Sequence, residues 1–317
     1  MAYTTIDKPT DYFNTTLYVG NGSSKTITGI PFAPDFVWIK ARSAAENHVI
    51  VDKVRGANNY LMPNTTATND TNSEFLKSFT SDGYTLGLGD RVNKSSTNLV
   101  SWNWKAGTTG SGTTTGAGTG KAYSYSVNTT SGCSIVKYLG NGTANHTIPH
   151  HLGVKPKMII TKNLDSTITW IVGHDSIGWD HILFLDTAAA KADDVNAFND
   201  IAPTSTVWNV GTGNGNNSNN VNYMSYCFAD VQGFSKMGSY IGNGNADGTF
   251  AYLGFKPAFI MIKGNTDWNW SIYDTKRLGY NGDNKHLFAD SNTTEASTYQ
   301  IDILSNGSKT RTNSNQL

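Results

Sequence analysis

Charge is scarce in this sequence. Charged side chains make up 15% of its 317 residues, where an ordinary globular chain carries about a quarter. The 24 basic residues balance 24 acidic ones, so the formal net charge is zero. Without a basic stripe there is no electrostatic footprint for nucleic acid or an anionic membrane surface. Long apolar runs are missing as well, which excludes a helix spanning a bilayer. The opening MAYTTIDKPTDYF has neither a basic n-region nor an apolar h-region, so the expectation is cytoplasmic synthesis without a signal peptide. Two cysteines, Cys133 and Cys227, exclude a disulfide framework and read as small buried thiols.

Asn, Thr, Ser and Gly fill the space that charges leave. The many Asn-x-Ser/Thr triplets follow from that composition and are not read as glycosylation sites. One pentapeptide occurs three times: YVGNG at 18–22, YLGNG at 138–142 and YIGNG at 240–244. Downstream of each copy the same landmarks follow in the same order. A strand opened by proline and closed by lysine comes first: PDFVWIK (34–40), PKMIITK (156–162), PAFIMIK (257–263). A second strand ends in a polar residue: HVIVD (48–52), WIVGH (170–174), WSIYD (270–274). A leucine-led polar stretch comes next, at 61–67, 183–189 and 287–293, and then a turn. Units one and two close with an aromatic strand, LVSWNW (99–104) and YMSYCF (223–228); the third stops at TNSNQL without one. Tyr18, Tyr138 and Tyr240 therefore mark domain-like units of about a hundred residues, far longer than a solenoid repeat.

The landmark segments are short, rich in Val, Ile, Trp and Tyr, and bounded by Gly, Asn, Asp and Pro. That is strand chemistry. Only AAAKADDVNAF (188–198) and TNSEFLKSF (71–79) read as short helices. The fold class expected is all-β: tandem sandwiches, jelly-roll or concanavalin-like, from three related repeats with the third truncated. The boundaries follow: residues 1–106 form a first repeat with an N-terminal arm, and 107–132 a Gly/Thr-rich linker and lead-in. Residues 133–233 form the second repeat, and 234–317 a third packed on it. GTTGSGTTTGAGTG (107–120) has no side chain able to build a core and reads as flexible.

A phosphate-binding loop needs a strand, a glycine turn and a helix N-terminus. Each pentapeptide is instead followed by turn and strand residues, with no GK[ST]. Asn21, Asn141 and Asn243 are therefore turn markers of a hairpin, where Asn-Gly supplies positive φ. The long motifs MAYTTIDKPTDYFNTTLYVGNGS, PDFVWIK, SDGYTLG, SWNWKAG, IAPTSTVWNVGTGNG, VNYMSYCFADVQGFSKMGSYIGNGNADG and FKPAFIMIK cover nearly the whole chain. On them the sequence resembles a family of repeat-bearing virion proteins of tailed phages of marine bacteria. The resemblance implies a non-enzymatic structural protein at the virion surface, with lectin-like sandwich domains, made in the host cytoplasm. Its implied partners are other virion proteins of capsid or tail, with self-association. The other function it implies is a host-recognition adhesin that binds cell-surface glycan. No catalytic residue and no cofactor come with it.

A few residues carry groups suited to binding or chemistry. Lys40, Lys162 and Lys263 recur at strand ends, fitting either a contact to an anionic surface or solvated cations that discourage edge pairing. Trp268 and Trp270 fall on one strand face, fitting a sugar-stacking platform or core. His146, His150 and His151 cluster in sequence, but strand alternation sends the last two to opposite faces, against joint metal ligation. Asp52 and Asp274 hold equivalent positions in different units, with His174 in the remaining one, an unpromising arrangement for paired-acid hydrolysis. The missing closing strand leaves a sheet edge open. The expectation is that another segment fills it, either the N-terminal YTTI (3–6) or a strand of a neighbouring copy.

Overall fold

The computed structural model describes residues 4–277, 281 and 284–311. Its elements are β-strands joined by loops and a few single-turn helices. Tyr3 of the YTTI segment and the closing TNSNQL lie outside the described residues.

Unit one builds a main sheet in the order Phe13–Val19, Asn98–Trp104, Phe36–Ala41, Val49–Asp52. Unit two repeats that order with Cys133–Leu139, Asn222–Phe228, Met158–Asn163 and Ile171–His174, then adds Gly178–Phe184. In both units the aromatic closing strand is central. It lies antiparallel between the lead strand and the Pro-to-Lys strand, with Trp102 opposite Thr15 and Trp38, and Tyr226 opposite Ile135 and Ile160. A small outer sheet backs the main one: Lys25–Ile27, Gly83–Leu86 and Leu76–Thr80 in unit one, and Phe250–Tyr252, Gly307–Arg311 and Gln300–Leu304 in unit three.

These sandwiches account for strands that are apolar on both faces. In unit one Val37, Ile39, Val49 and Val51 point outward onto Leu76, Tyr84 and Leu86 of the small sheet. Phe36 and Trp38 point the other way, into a core shared by all three units. That shared core takes Trp102 from unit one, Trp170 and Tyr226 from unit two, and Trp270 and Leu287 from unit three. Truncating any of these tryptophans to alanine would cost about 3–5 kcal/mol. The repeats are therefore three staves around one core, and unit three packs on unit one as well as unit two.

Several expectations are corrected. The 107–120 stretch is not a free linker: Thr108–Thr113 pairs with Ala122–Asn128, which extends unit two's main sheet, and Thr115–Gly116 pairs with His146–Pro149. Gly110 and Gly112 lie opposite Tyr125 and Tyr123, whose rings occupy the space a side chain there would take. A Cβ on Gly110 would fall 2.6 Å from the Tyr125 hydroxyl. The tyrosines supply the bulk that the Gly/Thr strand lacks. Residues 71–79 do not form a helix, since Leu76–Thr80 is a strand pairing with Gly83–Leu86. The other helical window holds one turn, Val195–Phe198, capped by the Asp194 carboxylate, which accepts from the Asn196 amide.

The repeated Asn-Gly turn is real, but it is a corner between two sheets and not a hairpin within one. Phe13–Val19 pairs in the main sheet and Lys25–Ile27 in the outer sheet. Gly22, Gly142 and Gly244 take φ of +64°, +72° and +64°. The Asn21, Asn141 and Asn243 side chains each accept from the amide two residues on, at 3.0, 2.9 and 3.1 Å.

Candidate functional site

The three units meet at three seams, and equivalent residues make equivalent contacts across them. At the head of the second strand stand His48, Trp170 and Trp270. The Trp170 indole donates to the Met62 and Thr65 carbonyls of unit one, both at 3.2 Å. The Trp270 indole donates to the Phe184 carbonyl of unit two at 2.7 Å. His48 completes the cycle. Its Nδ1 accepts from Trp38, leaving Nε2–H to donate to the Phe288 and Ser291 carbonyls of unit three. Burial pushes the His48 pKa down to about 3.

The three lysines follow the same cycle. Lys162 Nζ donates to Thr66 O at 3.0 Å, Lys263 Nζ to Ala188 O at 3.1 Å, and Lys40 Nζ to Asn292 O at 3.2 Å. Thr66, Ala188 and Asn292 are all the sixth residue of their leucine-led stretch. Lys40 and Lys162 are fully buried, Lys263 half-buried. Burial lowers all three ammonium pKa values, those of Lys40 and Lys162 to about 8. Lys40 and Lys162 realise neither expected role: they are interior clamps on a neighbouring loop, not solvated cations or an exposed anion-binding patch, and the half-buried Lys263 makes the equivalent contact.

A third contact binds the closing strand of one unit to the second strand of the next. The Tyr226 hydroxyl donates to Asp52 Oδ2 at 2.8 Å, and the Trp102 indole to Asp274 Oδ2 at 3.0 Å. Each acid also holds a buried arginine three residues on: Arg55 Nε and Arg277 Nε each lie 2.7 Å from the carboxylate. Carboxylates held in this way couple one repeat to the next. The seam between units three and one adds a bidentate Arg42–Glu295 pair, both bonds 2.9 Å.

The seam between units two and three lacks this third contact. Unit three has Phe259–Ile262, Ser271–Asp274 and Leu287–Phe288 in its main sheet. Among the described residues nothing pairs with the far edge of Phe259–Ile262, and the lead segment 237–241 forms no strand. Residues 4–6 form no strand on that edge either. Between the two flanks lies a cavity of about 1050 Å³, lined by Met237, Phe259 and Met261 of unit three and by His174 and Ile177 of unit two. Where units one and three carry Asp-x-x-Arg, unit two carries His174-Asp-Ser-Ile177. An acid without its aromatic donor would be a poorly satisfied buried charge, and a histidine with an isoleucine avoids that.

The remaining candidates have structural duties. Trp270 is core; Trp268 is half-buried, so the two do not present a paired platform. His146 is buried and pins the glycine-rich strands, with Nε2 2.7 Å from Thr114 Oγ1 and Nδ1 2.8 Å from Ala117 O. His150 lies along Trp208, while His151 stacks on Tyr125 with ring centres 3.7 Å apart. Among the described residues no group of three His, Cys, Asp or Glu side chains could hold a metal ion. Cys133 faces the shared core and Cys227 unit two's own core; both are free, and burial raises both thiol pKa values. Among the described residues no helix is long and apolar enough to cross a membrane.

The seam contacts of His48, Asp52, Arg55, Asp274 and Arg277 escape a reading of each residue alone. The Asp-x-x-Arg pair repeated in units one and three, and broken in unit two, is the signal that marks them. A comparison with curated proteins finds no match, and neither does one with solved structures. Residues 8–317 match the family described as a domain of unknown function (DUF7483). The match runs across all three repeats, and the chain belongs to that family.

Proposed function

We propose that this chain is a non-enzymatic structural protein of a tailed-phage particle, a capsid knob or decoration or a tail-associated module exposed at the virion surface. The resemblance to virion proteins of marine phages motivates this reading. The observation that supports it most is the use made of the ionisable groups. Asp52, Asp274, Lys40 and Lys162, which reactive chemistry would need accessible, are buried and committed to joining one repeat to the next. A ring of three sandwiches in an Asn/Thr/Gly-rich chain of zero formal net charge suits a rigid appendage that resists nonspecific adhesion. Its partners are then other virion proteins, with further copies of itself.

Adhesion to host glycan, the other function the resemblance implies, gains nothing from Trp270, which is bonded into the seam. Quantitative mass spectrometry of purified particles tests the proposal. Hundreds of copies per particle mark a decoration, and a small multiple of the tail symmetry marks a tail component. Particles devoid of the chain overturn the reading.

A further inference from the structure

The open position in unit three has a template, because units one and two show what fills it. In their closing strands the third, fifth and seventh residues face the shared core: Val100, Trp102 and Trp104 in one, Met224, Tyr226 and Phe228 in the other. The register places the fifth between Thr15 and Trp38, or between Ile135 and Ile160. Carried onto unit three, the seventh position lies between Ser235 and Phe259, the fifth between Met237 and Met261, and the third between Ser239 and Lys263. All six residues line the cavity. Its rim also carries exposed apolar side chains: Ile241 is 88% exposed, Tyr252 66% and Phe250 42%. Three large apolar residues at one mouth are characteristic of a contact surface.

We propose that this slot accepts a seven-residue extended segment of a partner polypeptide, which enters as the closing strand that the described residues of unit three do not supply, antiparallel to Phe259–Ile262. The segment is apolar at its third, fifth and seventh positions, with tyrosine favoured at the fifth. Backbone pairing on both flanks supplies affinity, and the alternate side-chain pockets supply specificity. A second copy of the chain is a poor donor. Among the described residues, both segments of this pattern, 98–104 and 222–228, are central strands paired on both sides.

The preference for tyrosine comes from His174. Its Nδ1 accepts from the Ser176 amide at 3.1 Å, so the neutral ring carries its proton on Nε2. At the other seams the equivalent residue is an aspartate, an acceptor that suits the N–H of Trp102 as well as the O–H of Tyr226. At His174 the incoming side chain meets a donor. A tyrosine oxygen accepts; an indole does not. Met237 and Met261, unbranched and adaptable, suit a pocket that is filled in one state and open in another.

The inference goes beyond the particle reading and stands or falls without it. The test uses the full chain and a fluorescein-labelled peptide with unit two's closing sequence, Asn-Tyr-Met-Ser-Tyr-Ser-Phe, in which serine replaces the cysteine. Anisotropy should show saturable binding, weaker by at least about tenfold for the same residues scrambled and for peptides with tryptophan at the fifth position. Met261→Glu and Met237→Glu should each weaken it to a similar extent. Hydrogen exchange of the unsubstituted chain adds a readout independent of variant folding: peptide should slow exchange of the 259–262 amides. Equal binding of native and scrambled peptides, no saturable binding, or unchanged exchange at 259–262 would overturn the proposal. So would sedimentation showing a dimer that Met237→Glu dissociates, since a second copy would then hold the slot.

Discussion

The Tyr226 hydroxyl and the Asp52 carboxylate, 174 residues apart in sequence, are joined by a 2.8 Å hydrogen bond across the first seam. The acid is fully buried and also holds Arg55. Replacing Tyr226 with phenylalanine removes one donor and leaves part of a buried charge unsatisfied. Tyr226→Phe should lower stability by about 1–3 kcal/mol, measured by denaturant unfolding. Asp52→Asn should cost more, because Arg55 then loses its counter-charge in the interior.

Lys162 offers a test of the buried clamps. Lys162→Met keeps most of the apolar stem and removes the ammonium that serves the Thr66 and Ile168 carbonyls. Those carbonyls lose a buried donor, and the expected loss is about 1–3 kcal/mol. Lys40→Met should behave alike at the seam with unit three. A solvated strand-end lysine would give a change near zero on substitution, so the thermal melts of the two variants separate the roles.

Acid should loosen the ring through its buried histidines. Burial lowers His48 from 6.5 to about 3, and His150 and His286 to about 4. Because the folded pKa values lie below the unfolded ones, the unfolded chain binds more protons below pH 6.5. The stability contribution is complete above that pH and is lost as pH falls toward the folded values. For His48 alone the loss at pH 5 is about 2 kcal/mol. Unfolding measured at pH 7 and pH 5 should show that difference shrink by a similar amount in His48→Gln, which retains a donor and an acceptor.

The glycine-rich segment 107–120 should resist proteolysis in the native protein, since it is paired in sheets on both of its strands. Gly110→Val places a side chain against Tyr125 and should expose the segment to cleavage. Rapid nicking of the unsubstituted chain within 107–120 would contradict the sheet assignment.

Much of this fold was legible in sequence, and the illegible part has a physical reason. Landmarks recurring in the same order gave the count of units and their strand content. The Asn-Gly turns were legible because positive φ favours those residues, but their role as corners between two sheets was not, because it depends on which sheet the next strand joins. Lys40 was misread because a lysine after an apolar strand ordinarily reaches water, and the carbonyl that claims it, Asn292, is 252 residues away. The glycine-rich stretch was misread because its packing partners, Tyr123 and Tyr125, belong to the next strand. The His174–Ile177 exchange was visible as an anomaly. Its meaning required knowing that unit two's second strand faces unit three's empty position.

Amide hydrogen exchange of the free chain tests the ring with one open strand position most directly. The central amides of 36–41 and 158–163, each paired on both sides, should exchange near the global unfolding limit. Those of 259–262, paired on one side, should exchange on the order of a hundredfold faster, through local opening. Equal protection of 259–262 and 158–163 in the free chain would contradict the account, because it would mean that the edge is already filled.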